Sequence, residues 1–147
     1  MSEFLTDTIQ FMPVLLRGLG ITIVLTLCAL ATSIALGICW AIMGMSRNAA
    51  LRGISLAIIH TVRGIPIIVQ LFCVYFVLPD LGIDLPPFLA GVIGLGLAYS
   101  VYQAENFRGG FGAVDRQLVE AGLSVGMSDG MAFRRIVLPL GLRAALP

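Results

Sequence analysis

The chain has 147 residues, 59% of them hydrophobic and 12% charged, with a formal net charge of +1 and a mean hydropathy of +1.01. Soluble domains carry about 25% charged residues, so this composition does not cover a water-exposed surface, and its charge balance lacks the basic face of a nucleic-acid binder. All nine basic residues are arginine, which excludes a phosphate-binding loop of the G-x-x-x-x-G-K type.

The chain starts with Glu3 and Asp7 ahead of any apolar run, and the run that follows Arg17 is too long for a signal peptide. That first segment is therefore expected to remain in the mature protein. Residues 18–46 hold no charge, and about 20 apolar residues suffice to cross the hydrocarbon core, so a first span is predicted at about 18–45. A second run, 53–79, is interrupted by His60 and Arg63 and predicts a span at about 60–78, with the residues before it lying on the membrane surface or extending into the cytosol. A third, charge-free run predicts a span at about 85–104. Runs of this length without two-residue alternation select helices over a barrel. The expected fold class is an all-α integral membrane protein, a helical bundle with three transmembrane helices. Gly37 and Ala41 in the first span and Gly91, Gly94 and Gly96 in the third predict close helix contacts.

Orientation follows from the arginines, which cytoplasmic loops retain. The loop after the first span holds Arg47 and Arg52 without an acid, and the loop after the second holds Asp80 and Asp84 without a base. Arg108, Arg116, Arg134 and Arg135 follow the third span. The N-terminus is therefore expected outside and everything beyond Arg108 to begin inside.

Polar groups within the spans are functional candidates because they are costly in hydrocarbon. Arg63, Gln70, Tyr75, Tyr99, Gln103 and Glu105 are the substrate-path candidates, with Ser100 and Tyr102 beside them. Arg63 has two readings: an anchor that snorkels to the cytoplasmic interface, or a group contacting a neighbouring segment or lining the path. Glu105 lies three residues before Arg108, a spacing that predicts an ion pair, with direct contact to a charged solute as the alternative. Cys28, Cys39 and Cys73 show no metal-ligand spacing with His60, the single histidine, and read as small apolar side chains. No nucleophile, base and acid cluster argues for an enzyme. Thr22, Thr26, Thr32 and Ser33 are too sparse to line a stand-alone channel.

Beyond the third span the composition turns polar while Leu118, Gly122 and Val125 keep helical intervals. Gly126 is placed to end that helix and Ser128 to open a short second one carrying Arg134 and Arg135. The apolar face of the first helix must rest on the cytoplasmic ends of the bundle or on another protein.

Glu120-Ala121-Gly122, three residues, Gly126, nine residues and then Ile136-x-Leu138-Pro139 resembles the EAA loop of bacterial ABC importer permeases, with glycine at position 122 for the second alanine. Arg63-Gly64-Ile65-Pro66-Ile67-Ile68-Val69-Gln70-Leu71-Phe72 looks like the R-G-x-P-x-x-V-Q-L-F segment of polar amino-acid permeases of the histidine and glutamine type. Ala98-Tyr99 and Glu105-Asn106-Phe107-Arg108-Gly109-Gly110 are similar to another region of that family.

The resemblance implies the transmembrane subunit of an importer for a polar amino acid in a bacterial inner membrane, with about five helices in the complete fold. Residues 1–147 would be a C-terminally truncated part of it, with the coupling loop at about 114–139 and a fourth helix starting at 140–147. Glu120, Ala121, Gly122, Gly126, Ile136, Leu138 and Pro139 would couple it to a cytoplasmic ABC ATPase. ATP and magnesium would sit on that ATPase, leaving this chain without cofactor, metal or catalytic residues. A second permease subunit, an external binding protein and the bilayer are the other implied partners. Another small solute such as methionine, a metal or a phosphonate, or a non-functional fragment, are the alternatives.

Overall fold

The computed structural model of the protein describes residues 2–145, with side chains from residue 11 onward. All regular structure among the described residues is helical. Helix α1 (Ser2–Gly44) is followed by α2 (Ala49–Gly64), α3 (Ile67–Phe72), α4 (Pro87–Gly112), α5 (Arg116–Ser124), α6 (Asp129–Ala132) and α7 (Leu138–Ala145). Two apolar stretches, Phe11–Gly44 and Pro87–Gly112, are long enough to cross a membrane, and they contain all but the last residue of the predicted first span and all but the first two of the predicted third.

The small residues read from the sequence are the contacts of this pair. A Cβ on Gly91 would meet Leu25 at 3.0 Å, one on Gly96 would meet Thr32 at 2.7 Å, and one on Gly37 would meet the Gln103 Cβ at 2.6 Å. Ala41 is fully buried. Lipid tails are as apolar as leucine, so close backbone approach rather than water exclusion holds such helices together. The partners rise together along both helices, so α1 and α4 run parallel. The chain between them must cross back.

It does so through a broken element. A continuous helix over 60–78 is not what forms: α2 ends at Gly64, and the helix from Ile67 to Val77 leaves it at 100°. Pro66 is the cause, since it has no N–H to give the ladder and forces the residue before it out of the helical region; Ile65 sits at φ −104°, ψ 128°. Gln70 closes the break, its Nε2 donating to the carbonyls of Val62 and Ile65, both at 2.8 Å. Gln70→Leu leaves those carbonyls without that donor. The Val62 carbonyl keeps the Ile65 N–H at 3.4 Å and the loss is that of ordinary hydrogen bonds, about 0.5–1.5 kcal/mol each, so thermal unfolding in detergent should show a modestly lowered midpoint. An unchanged midpoint would show that the break holds without the amide.

Two π turns, Cys73–Val77 and Phe133–Val137, each precede a Leu-Pro pair. Leu78 donates to the Cys73 carbonyl and Leu138 to the Phe133 carbonyl, five residues back. The wider turn eases the ladder at the point where the proline ring would clash and its missing N–H would be felt. Helix therefore continues from Asp129 to Ala145 without interruption. The second helix of the loop is thus not short, and the expected fourth helix starts at Asp129 rather than 140, because Pro139 is absorbed and not a stop. Helix α4 likewise continues to Gly112, past the predicted end at 104.

Two polar contacts tie α1 to α4 and to α2. The Trp40 Nε1 donates to the Ser100 hydroxyl at 3.2 Å, and the Ser55 hydroxyl donates to the Trp40 carbonyl at 2.8 Å. Ser55 and Ser100 are fully buried. Thr22, Thr32 and Ser33 donate to carbonyls of their own helix, which satisfies them without a water-filled path.

Candidate functional site: a coupling loop and the polar residues in the spans

Helix α5 begins at Asp115, whose carboxylate accepts from the Gln117 N–H at 2.8 Å. It ends in a Schellman motif: the Gly126 N–H donates to the Leu123 carbonyl at 3.0 Å and the Met127 N–H to the Gly122 carbonyl at 3.1 Å. Gly126 has φ +86°, a left-handed conformation that glycine adopts at little cost. Two residues on, the Ser128 hydroxyl accepts from the Met131 N–H at 3.4 Å and opens α6. The helix, turn and helix expected from the sequence are all present.

The loop residues divide by what they touch. Gly122 is buried, and a Cβ there would lie 2.7 Å from the Ile136 Cδ1 and 3.3 Å from the Met127 sulfur. Both atoms are the ends of flexible side chains, which would have to shift to admit the alanine of the resembling pattern. Gly126 has open space around its α-carbon, so its requirement is conformational. Leu138 packs with Phe107, Phe111 and Ala41, while Pro139 is exposed. Glu120 and Ala121 are exposed, and a Glu120 oxygen accepts from the Arg116 Nε at 2.9 Å. That pair is exposed at 91% and 61%, so it contributes little to stability.

The loop is bolted to the membrane part from one side. Phe111 meets Phe133 edge to face at 5.7 Å, and Gly110 and Gly141 cross backbone against backbone. Arg47, in the turn between α1 and α2, reaches Asp129 at 3.1 Å. The main contacts of helix α5 are with α6 and the π turn that follows it. Its apolar side chains stay uncovered: Val125 is 78% exposed and Leu118 49%.

The six candidates for the solute path do not form one cluster. Tyr99 and Gln103 share with Thr26 and Ser33 a groove of about 390 Å³ between α1 and α4. Arg63 lies across the helix break from Gln70, its guanidinium 5.6 Å from the centre of the Tyr102 ring, a cation–π contact. Gln70 is committed to the break. Its Oε1 is buried without a partner. Tyr75 stands apart in an apolar hollow of about 270 Å³ with Ile68, Leu71 and Phe72. Glu105 pairs with Arg108 at 3.4 Å, the spacing expected from the sequence.

Sequence reasoning missed Trp40, Ser55, Asp115 and Met127. Asp115 was within reach, since an aspartate just ahead of an apolar helical period is a capping signal. Trp40 and Ser55 depend on contacts with residues distant in sequence, whereas Met127 acts within the local turn at Gly126.

Against known proteins, a profile of the family described as binding-protein-dependent transport system inner membrane component matches residues 33–147. The chain is 38% identical over 95% of its length to PatM of Vibrio harveyi, a probable amino-acid ABC transporter permease protein, and covers 64% of it. It is 33% identical over 93% of its length to HisQ of Salmonella typhimurium, a histidine/lysine/arginine/ornithine transport system permease protein, covering 65%. The crystal structure of an amino acid ABC transporter with histidines superposes with a TM-score of 0.84 at 34% identity, covering 97% of this chain and 66% of that one. The chain thus spans a little under two thirds of these relatives. With a helical membrane fold and a family profile matched over most of its length, the chain belongs to the binding-protein-dependent transport system inner membrane components.

Proposed function

We propose that this chain is part of the transmembrane subunit of an ATP-binding-cassette importer that carries a polar amino acid across the inner membrane. The observation that carries the reading is a rigid helix-turn-helix with an uncovered apolar side. Val125 and Leu118 stand exposed on a helix whose far end is fixed by the Schellman turn at Gly126. A separate ATPase holds that side, and ATP and magnesium are bound there. The likeness to amino-acid permeases supports the cargo. A second permease subunit and an external binding protein complete the machine.

The arginine distribution supports an outside N-terminus and a cytoplasmic loop. Movement of the loop passes to α4 through the contact of Phe111 with Phe133 and the crossing of Gly110 with Gly141, as rigid-body displacement of packed helices. The candidates for the solute's route are the break between α2 and α3, where Arg63 and Gln70 lie, and the groove between α1 and α4 that holds Tyr99 and Gln103, with Tyr75 and Glu105 apart from both. Broken helices are a recurrent way to present polar groups to a solute.

The test is uptake by liposomes holding the complete permease with its ATPase and binding protein. ATP-dependent accumulation of a polar amino acid is expected. ATP-independent flux, or uptake confined to methionine, a metal or a phosphonate, overturns the reading.

A further inference from the structure

Pro139 is exposed, so packing does not account for it, and it has no N–H to give the helix it sits in. Its effect is on the backbone behind it. In a continuous α-helix its ring would clash with the Arg135 carbonyl four residues back, and the π turn over Phe133–Val137 takes up one residue more than an α turn and removes the conflict. The same turn stands ahead of Pro79, again with a leucine N–H donating to the carbonyl five residues back. One site is followed by a single 3₁₀ turn, Pro79–Leu81, and the other by helix to Ala145. What they share is the Leu-Pro pair, which ties the turn to the proline.

The extra residue changes which way the helix faces. Phe133 and Gly141 are eight positions apart, and at about 100° per residue an unbroken α-helix would point them about 80° away from each other. Taking one residue into the π turn subtracts one such step and leaves them about 20° apart. The contacts agree with that alignment: the Phe133 ring lies 5.7 Å from the Phe111 ring, and a Cβ on Gly141 would lie 2.9 Å from the Phe111 Cα. One residue of α4 thus receives the helix on both sides of the π turn. Without the turn the two halves would be twisted by about 100° relative to each other, which at a side-chain radius of about 5–6 Å moves Phe133 about 8 Å. That takes Phe133 off Phe111 while Gly141 stays on Gly110.

We infer that Pro139 is a positioning residue that sets the rotational phase of the coupling loop against the spans, by forcing a one-residue π turn that places Phe133 and Gly141 on the same face towards α4. Its importance for transport rests on the coupling reading above; the phase itself does not. A residue that acts in this way is replaceable. An unbroken α-helix one residue shorter between Phe133 and Gly141 has the same alignment with no proline and no π turn.

The experiment uses the complete permease with its native cysteines replaced, spin-labelled at Gly109→Cys and Gly130→Cys, positions where a Cβ meets nothing within 4 Å. The labelled parent is compared with Pro139→Ala, and with Pro139→Ala from which Arg135, an exposed residue inside the π turn, has been deleted. Pro139→Ala restores the N–H, lets the ladder close as α-helix, and is expected to shift the distance between the labels by several ångströms. The shorter form should return it to the parent's value. An unshifted distance in Pro139→Ala means that packing and not proline holds the π turn, and overturns the inference, as does a shift that the deletion fails to reverse. If Pro139→Ala does not fold, a folded deletion form with the parent's distance supports the inference, and misfolding of both overturns it. ATP-driven uptake in liposomes with the ATPase and binding protein tests the coupling reading separately. Loss in Pro139→Ala and recovery in the deletion form are expected, whereas full uptake beside a shifted distance supports the phase assignment and sinks the coupling reading.

Discussion

Gly126→Asp is expected to abolish co-purification of the ATPase while leaving membrane insertion intact. The effect comes from backbone conformation, since nothing lies within 4 Å of a Cβ built at this position. At φ +86° an L-residue is disfavoured by about 1–2 kcal/mol. A carboxylate here also faces the negative end of α5, worth about a further 0.3–1 kcal/mol. Both act on a short helix whose last turn is closed by the Gly126 and Met127 N–H donors. Asparagine tolerates the left-handed region far better, so Gly126→Asn should retain most binding and Gly126→Val should retain none. Pull-down of the purified ATPase by the three variants checks the order. Equal recovery across the series would mean that the turn is not held as described.

The second large effect is a contrast between neighbours. Gly109 and Gly110 are adjacent on α4, yet a Cβ on Gly109 meets nothing within 4 Å while one on Gly110 runs into the Gly141 carbonyl and lies 2.9 Å from the Ala145 amide nitrogen. Backbone atoms do not yield as a flexible side chain does, so Gly110→Val must push α7 off α4. Overpacking of this kind costs about 1–3 kcal/mol, and more where the backbone must move. Gly110→Val is therefore expected to unfold at a clearly lower temperature in detergent and to break the mechanical link between loop and spans, so that ATP hydrolysis no longer drives uptake. Gly109→Val should behave as wild type in both assays. Similar behaviour by the two variants would mean that α4 and α7 do not cross at Gly110.

Both variants probe the same route. Under the proposed function, the turn at Gly126 would set the shape that a partner grips, and the crossing at Gly110 and Gly141 would carry its displacement into the bundle. The route is short because Pro139 does not interrupt it. The π turn from Phe133 to Val137 keeps α6 and α7 one continuous lever, with Phe133 on Phe111 as its bearing.

Much of this was legible in the residues alone. Uncharged runs longer than a bilayer is thick can do little but form membrane helices, and small residues spaced along them foretold the packing of α1 on α4. A glycine followed by a serine two places on dictated the turn at Gly126 and the cap at Ser128, because both signals act within a few residues of chain. The pairing of Glu105 with Arg108 and of Arg116 with Glu120 is likewise local. What tertiary structure alone decided is set by contacts between distant segments. Pro66 announces a break, but its 100° angle depends on Gln70 finding two carbonyls and on α4 receiving Leu71 at Gly94. Pro139 resembles a stop until the π turn absorbs it. The burial of Gly122 beside Ile136, fourteen residues later in the chain, is likewise a tertiary outcome. Local rules fix where helices begin and end, but which surfaces remain free for function is decided only when the whole chain has claimed the rest.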